Sequence, residues 1–147
     1  MTIIEQRGGV GHDRLGELMD LVVARVAGHV IPGTGRRYEL LHADTDSEAW
    51  LIAWPNGTGL AMHDHRGSSA LIHVVSGELR ERHPAGDGFT TRSLVAGERY
   101  ALAADHVHEV LNIEAPEAVS IHFYSPRLGD LGFHEDGDVG HEILDRA

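Results

Sequence analysis

Apolar residues recur at three- and four-residue steps in one early stretch, where Leu15, Leu18, Met19, Val22, Val23 and Val26 would line one face of a helix. Asp13 is a suitable N-cap and Gly28 a suitable stop, so the spacing predicts a helix over 13–28. From Tyr38 onward the grain changes to short apolar or alternating runs: YELLHA, EAWLIAW, GLAMHDH, ALIHVV, ELRERH, FTTRSL, RYALA, VHEVLNI and AVSIHFYS. Turn-forming clusters separate them, clearest in PNGTG at 55–59, PAGDG at 84–88 and EAPE at 114–117. Short strands divided by turn chemistry predict an all-β, antiparallel sandwich or barrel behind one N-terminal helix. The stretch 129–147 carries Gly, Asp and His without sustained periodicity and is expected to be a C-terminal extension of a β core over 37–128.

A length of 147 residues with 41% hydrophobic positions suits one domain over 1–147 and leaves no room for a second. Lys and Arg number 12 against 23 Asp and Glu, giving a formal charge of −11, which repels phosphate backbones and anionic lipid. Nucleic acid and membrane are therefore not expected partners. The absence of cysteine excludes disulfides, thiolate metal sites and cysteine nucleophiles, so any metal must be held by nitrogen and oxygen. The first residues, MTIIEQRGGVGHD, lack a signal-peptide pattern, and no run approaches the roughly 18 apolar residues of a membrane span. A soluble, cytoplasmic protein is expected, as a monomer or a small homo-oligomer. Twelve histidines exceed ordinary usage, and their arrangement carries the chemistry.

His63 and His65 are two apart, so on a strand both imidazoles project from one face at a separation that one metal ion can bridge, while Asp64 points the other way. His106 and His108 repeat the spacing on a second predicted strand. Together the two segments resemble the paired signatures of the cupin superfamily. Gly57, His63, His65 and Gly77 fall on the first signature, and Gly97, His108 and Asn112 on the second. The resemblance implies a cupin-type antiparallel barrel or jelly roll and makes His108 the third metal ligand, with His106 in reserve. Where many cupins carry a carboxylate ligand this chain has Ala70, and the second signature's Pro and Gly are Ala103 and Asp105. Three neutral imidazoles do not offset a divalent charge, so such a site favours an anionic ligand, of which a thiolate is a good candidate.

AVSIHFYSPRL at 118–128 and the arginine of GRRYELL narrow the resemblance to the cysteine dioxygenase family of thiol dioxygenases. That resemblance implies Fe(II) on His63, His65 and His108, Arg37 gripping the substrate carboxylate, and Ser120, His122 and Tyr124 flanking the oxygen site. Arg36 is adjacent to Arg37, and a slip of one residue would exchange them. Ser120, His122 and Tyr124 also alternate with Ile121 and Phe123, which places the three polar groups on one face of a strand. The family's cross-linking cysteine is Ala70 here, leaving Tyr124 a free phenol, and a family tyrosine upstream of the arginine is Gly35.

The implied reaction is oxidation of L-cysteine by dioxygen to cysteine sulfinate. Relatives that oxidise 3-mercaptopropionate tend to carry Gln at the arginine position, so Arg37 tilts towards cysteine. Alternatives are a 3-mercaptopropionate dioxygenase, another metal cupin enzyme using zinc or nickel, and a non-catalytic ligand-binding cupin. His73 reads as an outward strand residue, and His134 and His141 as exposed loop residues. Trp50 and Trp54 read as core, with Trp54 close enough to the metal loop to line a pocket.

Overall fold

The computed structural model describes residues 12–128 and 132–133. One helix, α1 (His12–Arg25), precedes ten strands: β1 (Arg37–Ala43), β2 (Glu48–Pro55), β3 (Gly59–Asp64), β4 (Ser69–Ser76), β5 (Glu78–Ala85), β6 (Gly88–Val95), β7 (Arg99–Leu102), β8 (His108–Leu111), β9 (Glu117–Ser125) and β10 (Gly132–Phe133). They form two antiparallel five-stranded sheets, ordered β1-β2-β9-β4-β7 and β10-β3-β8-β5-β6. Every apolar run of the sequence from Tyr38 to Ser125 coincides with one of these strands. The helix ends at Arg25, before Gly28, and the remaining residues turn, with Gly28 at φ +78° reversing the chain.

Leu15, Met19 and Val22 of α1 pack on Ala49, Leu51, Leu71, Ile121 and Phe123, so the helix covers the outer face of the first sheet. The inner face carries a second cluster that includes Ile52, Trp54, Leu60, Ala70, Ile72, Leu79, Val110 and Tyr124, drawn from both sheets. β2 and β9 are thus buried on both faces, which is why EAWLIAW reads as an almost continuous apolar run. On β9 the alternation divides the strand: Ile121 and Phe123 meet the helix, while Ser120, His122 and Tyr124 turn inward.

Two positions of the expected signatures hold the fold. The Asn112 side chain donates to the Trp54 carbonyl at 2.7 Å and accepts from the backbone of Ala115 at 3.0 Å, tying the end of β8 to β2 across the sheets. Gly77 sits at φ +75° with its α-carbon against the backbone of β9, where a Cβ would lie 2.8 Å from the Glu117 carbonyl oxygen. Of the expected C-terminal extension, Gly132 and Phe133 pair with Asp64 and His63 of β3, whereas His134 and His141 lie outside the described residues. No helix among the described residues is long and apolar enough to cross a membrane.

Candidate metal centre

β3 and β8 are neighbours, and their register sets His63 opposite His108. His65 stands one residue past the end of β3, on the same side as His63. The ring centroids are 5.0 Å apart for His63 and His65, 4.7 Å for His63 and His108, and 5.1 Å for His65 and His108. One ring nitrogen from each lies within 4.8 Å of the other two, and all three residues are buried. Asp64 turns away and accepts the Arg66 amide at 2.9 Å.

Burial pushes His63 down to about 3, with the charge of His108 acting in the same direction. Burial and the neighbouring histidines hold His65 well below the ordinary imidazole range, and burial lowers His108 against the opposing pull of Glu81. All three are therefore neutral at physiological pH, the form that binds metal. Nδ1–H of His63 donates to the Ala61 carbonyl at 2.7 Å, and Nδ1–H of His108 donates to Glu81 at 2.7 Å, which leaves Nε2 of each as a lone pair. Nδ1 of His65 is buried without a hydrogen-bond partner. Converging neutral nitrogens, one ring carrying an unpartnered buried atom, suit a bound transition metal. Ala70 lies buried on β4 opposite Tyr124, and among the described residues no carboxylate joins the three-histidine group. His106 is not one of the three: its ring lies against His108 at 5.1 Å between centroids, its Nε2 is 3.1 Å from Glu81, and with Glu81 and His108 it forms a second group whose ligand atoms lie within 4.8 Å of one another.

Ser120, His122 and Tyr124 form a chain whose direction is fixed at one end. The Trp54 indole can only donate, and it does so to Ser120 Oγ at 2.9 Å. Ser120 Oγ and His122 Nε2 are hydrogen-bonded at 2.8 Å, and His122 Nδ1 and the Tyr124 hydroxyl at 3.2 Å. Burial, with the charge of His108, pushes His122 down to about 3, so it remains a neutral relay. Burial and the Glu48 carboxylate push the Tyr124 phenol up, so it keeps its proton. The Tyr124 ring stands beside His65, with ring centroids 5.5 Å apart.

The depressed histidines carry a pH signature. The folded state holds His122 near 3 against an ordinary 6.5, so the unfolded chain binds the extra proton throughout that window. Its contribution is full above pH 6.5, falls with pH and is lost near pH 3. Metal-free protein is expected to lose about 1.4 kcal/mol per pH unit for this histidine between pH 6 and 4. Urea unfolding across that range checks this, and a flat profile contradicts it.

The structure does not bring Arg37 to the histidines, which corrects the expectation placed on it. Arg37 pairs with Ala53 on the face that meets the helix, where its guanidinium binds Glu117 at 2.8 Å and the carbonyls of Ile31 at 3.0 Å and Gly35 at 2.7 Å. It borders a cavity of about 290 Å³ between the end of α1 and β2, outside the barrel. Arg36 is on the opposite side: Tyr38, two residues on, packs against the inner cluster, and Arg36 Nη1 donates to the Gly59 carbonyl of the other sheet at 2.6 Å. A frame difference of one residue reverses the face of a strand residue.

Trp54 is fully buried in the core as its pattern predicts, and its N–H also anchors the Ser120 chain. One residue of the site escapes sequence reasoning. Glu81 was not singled out, although it shares the inward face of ELRERH with Leu79; a carboxylate on an apolar face demands partners, and that was the available signal.

Comparisons with known proteins agree with this architecture. The family described as cysteine dioxygenase type I matches residues 33–135. An uncharacterised protein with a double-stranded β-helix domain from Klebsiella pneumoniae is 20% identical, superposes with a TM-score of 0.62, and covers 76% of this chain and 95% of its own. TT1209 from Thermus thermophilus is 20% identical with a TM-score of 0.58, covering 71% and 94%. An RmlC-like cupin from Shewanella frigidimarina is 24% identical with a TM-score of 0.54, covering 65% and 80%. No curated protein matches the chain. The structural likenesses speak for the fold alone, and the family match spans Arg36 and Arg37, all three buried histidines and the Ser120 chain. The protein belongs to the cysteine dioxygenase family of the cupin superfamily.

Proposed function

We propose that the protein is a non-haem Fe(II) thiol dioxygenase that converts a small thiol carboxylate, L-cysteine, to its sulfinate, both atoms of dioxygen entering the sulfur. The observation that carries this reading is the convergence of three neutral buried imidazoles beside the buried phenol of Tyr124. His63, His65 and His108 would hold the iron, whose bound form supplies the redox chemistry that brings dioxygen and a thiol to react. An all-neutral donor set leaves the cation's charge unbalanced, which favours binding the substrate as a thiolate.

Each remaining residue has a part that does not depend on the metal. Tyr124, kept protonated by burial, would donate a hydrogen bond into the site, with His122 Nδ1–H donating to its oxygen and Ser120 and Trp54 holding the His122 ring in place. The buried apolar wall of Ile52, Ile72 and Leu102 keeps water from the reacting atoms. The side of β1 on which each arginine stands favours Arg36 over Arg37 for the substrate carboxylate. Arg36→Ala is expected to raise KM about 10-fold or more, the cost of one charge-assisted hydrogen bond, with iron content unchanged. Arg37→Ala is expected to leave KM within about 2-fold, because a side chain on the outer face contributes stability and not binding. Steady-state kinetics of both variants decide between them, and a KM effect confined to Arg37→Ala reverses the assignment.

The reading itself is tested by mass spectrometry of the product formed under labelled dioxygen by anaerobically iron-loaded protein. Cysteine, 3-mercaptopropionate, cysteamine and mercaptosuccinate are offered in turn. Sulfinate carrying two labelled oxygens, formed fastest from cysteine, is the expected result. Iron-loaded protein that yields no sulfinate from any thiol overturns it in favour of another metal-dependent cupin reaction.

A further inference from the structure

Glu81 is fully buried at the centre of β5, a strand flanked by β8 on one side and β6 on the other. Its Cα partners are Val110 on β8 and Arg92 on β6. One carboxylate oxygen, Oε2, accepts His108 Nδ1–H at 2.7 Å and lies 3.1 Å from His106 Nε2. The other, Oε1, accepts Arg92 Nε–H at 2.5 Å, and the same guanidinium lies over the Tyr100 ring at 5.0 Å. Burial alone would push this carboxyl up. The hydrogen bonds from His106 and His108, the charge of His108 and the Arg92 bond together hold it well below the carboxylate range. Glu81, paired with the Arg92 guanidinium, thus stands behind His108, one imidazole away from the cluster, and also touches His106.

We propose that Glu81 is a positioning residue that supplies, through His108, the negative charge that the three-histidine cluster lacks in its immediate ligands. The carboxylate fixes His108 with its proton on Nδ1 and its lone pair on Nε2, and it draws that proton towards itself, making Nε2 a stronger donor. Arg92 and His106 set how much of the charge is felt: each occupies a carboxylate oxygen and withdraws density from His108. Ala70 removes the direct carboxylate ligand, and Glu81 returns part of its effect from behind the ring without occupying a coordination position. The room for substrate is kept while the divalent charge is still partly balanced.

This inference rests on the reading that His63, His65 and His108 hold a divalent metal, and not on which thiol is oxidised. Cobalt(II) affinity is measured by chelator competition on wild-type protein, Glu81→Gln and Arg92→Met, alongside the midpoint potential of the iron-loaded forms. Glu81→Gln keeps the side chain's shape and is expected to weaken cobalt(II) binding 10- to 100-fold and to raise the potential. Arg92→Met, at a half-exposed residue, leaves the carboxylate less neutralised and is expected to move both quantities the opposite way. A purely structural role would shift both variants in one direction. Wild-type protein that binds no cobalt(II) overturns the metal reading and this inference together. Wild-type binding, with Glu81→Gln unchanged in affinity and potential or with both variants shifting alike, overturns this inference alone.

Discussion

Replacing His63 with alanine is expected to abolish stoichiometric iron binding and to take sulfinate formation below detection. The expectation follows from the geometry of the three-histidine group. Three imidazoles converge, and the neighbouring group of Glu81, His106 and His108 shares only His108 with them. Nδ1 of His63 is committed to the Ala61 carbonyl, so its Nε2 is a lone pair with a fixed direction, and alanine removes it outright. Loss of a supporting group behind a ligand costs 10- to 100-fold in metal affinity, and loss of the ligand itself costs more than about 100-fold. His108→Ala is expected to behave in the same way. His106→Ala, by contrast, is expected to keep one iron per chain, since that imidazole is hydrogen-bonded to Glu81 and is not one of the three converging donors. Metal analysis of the purified variants checks all three, and His106→Ala losing iron as completely as His108→Ala would reassign the third ligand.

The second large effect is on folding. Gly77 links β4 to β5 at φ +75°, where an added Cβ would meet the Glu117 oxygen and the Ala118 Cα at 2.8 Å each. Both atoms are backbone of β9, the strand that carries Ser120, His122 and Tyr124, and backbone in the middle of a sheet has nowhere to move. The left-handed conformation costs a non-glycine residue about 1–2 kcal/mol, and forcing atoms into a filled space adds about 1–3 kcal/mol. Gly77→Ala is therefore expected to lose about 2–5 kcal/mol, read as a lowered urea midpoint with the slope unchanged. Gly86, whose φ is +60° with nothing within 4 Å of an added Cβ, is the control that isolates the conformational cost. Equal destabilisation at both positions would mean that contact with β9 is immaterial.

Much of this was legible in the sequence, for a definite reason. Strand alternation has a period of two, so any relation confined to one strand could be read without knowing the fold. His63 with His65, and Ser120 with His122 and Tyr124, are relations of that kind, and the structure brings each set to one face. The choice of His108 over His106 came from the frame of the family resemblance, and the structure sets His108 in the histidine group. What was not legible depends on counting across breaks or between strands. Arg37 follows from the frame of the family resemblance, and the β1–β2 ladder is broken between Leu40 and His42 and the β3–β8 ladder between Leu60 and His63. Each irregularity can reverse a face, and Arg37 stands on the helix side. Glu81 meets His108 only because β5 and β8 are neighbours, a fact of sheet order that no local pattern encodes. The helix end was misplaced by a turn, since Val26 retains a helical bond to Val22 while the chain around it has already begun to reverse.

The two halves of the centre are carried by strands of unequal standing. β9, bearing Ser120, His122 and Tyr124, is paired along nearly its whole length on both sides and roofed by α1. β3, bearing His63, is paired on one side with the four-residue β8 and, among the described residues, on the other with the two residues of β10. Amide protons of β9 should exchange with solvent only through global unfolding, whereas those of β3 should exchange through local opening. A metal held by the three histidines would then be taken up and released by a breathing edge while the tyrosine and its supports stay assembled, so that a molecule stripped of it would be ready to be reloaded without refolding.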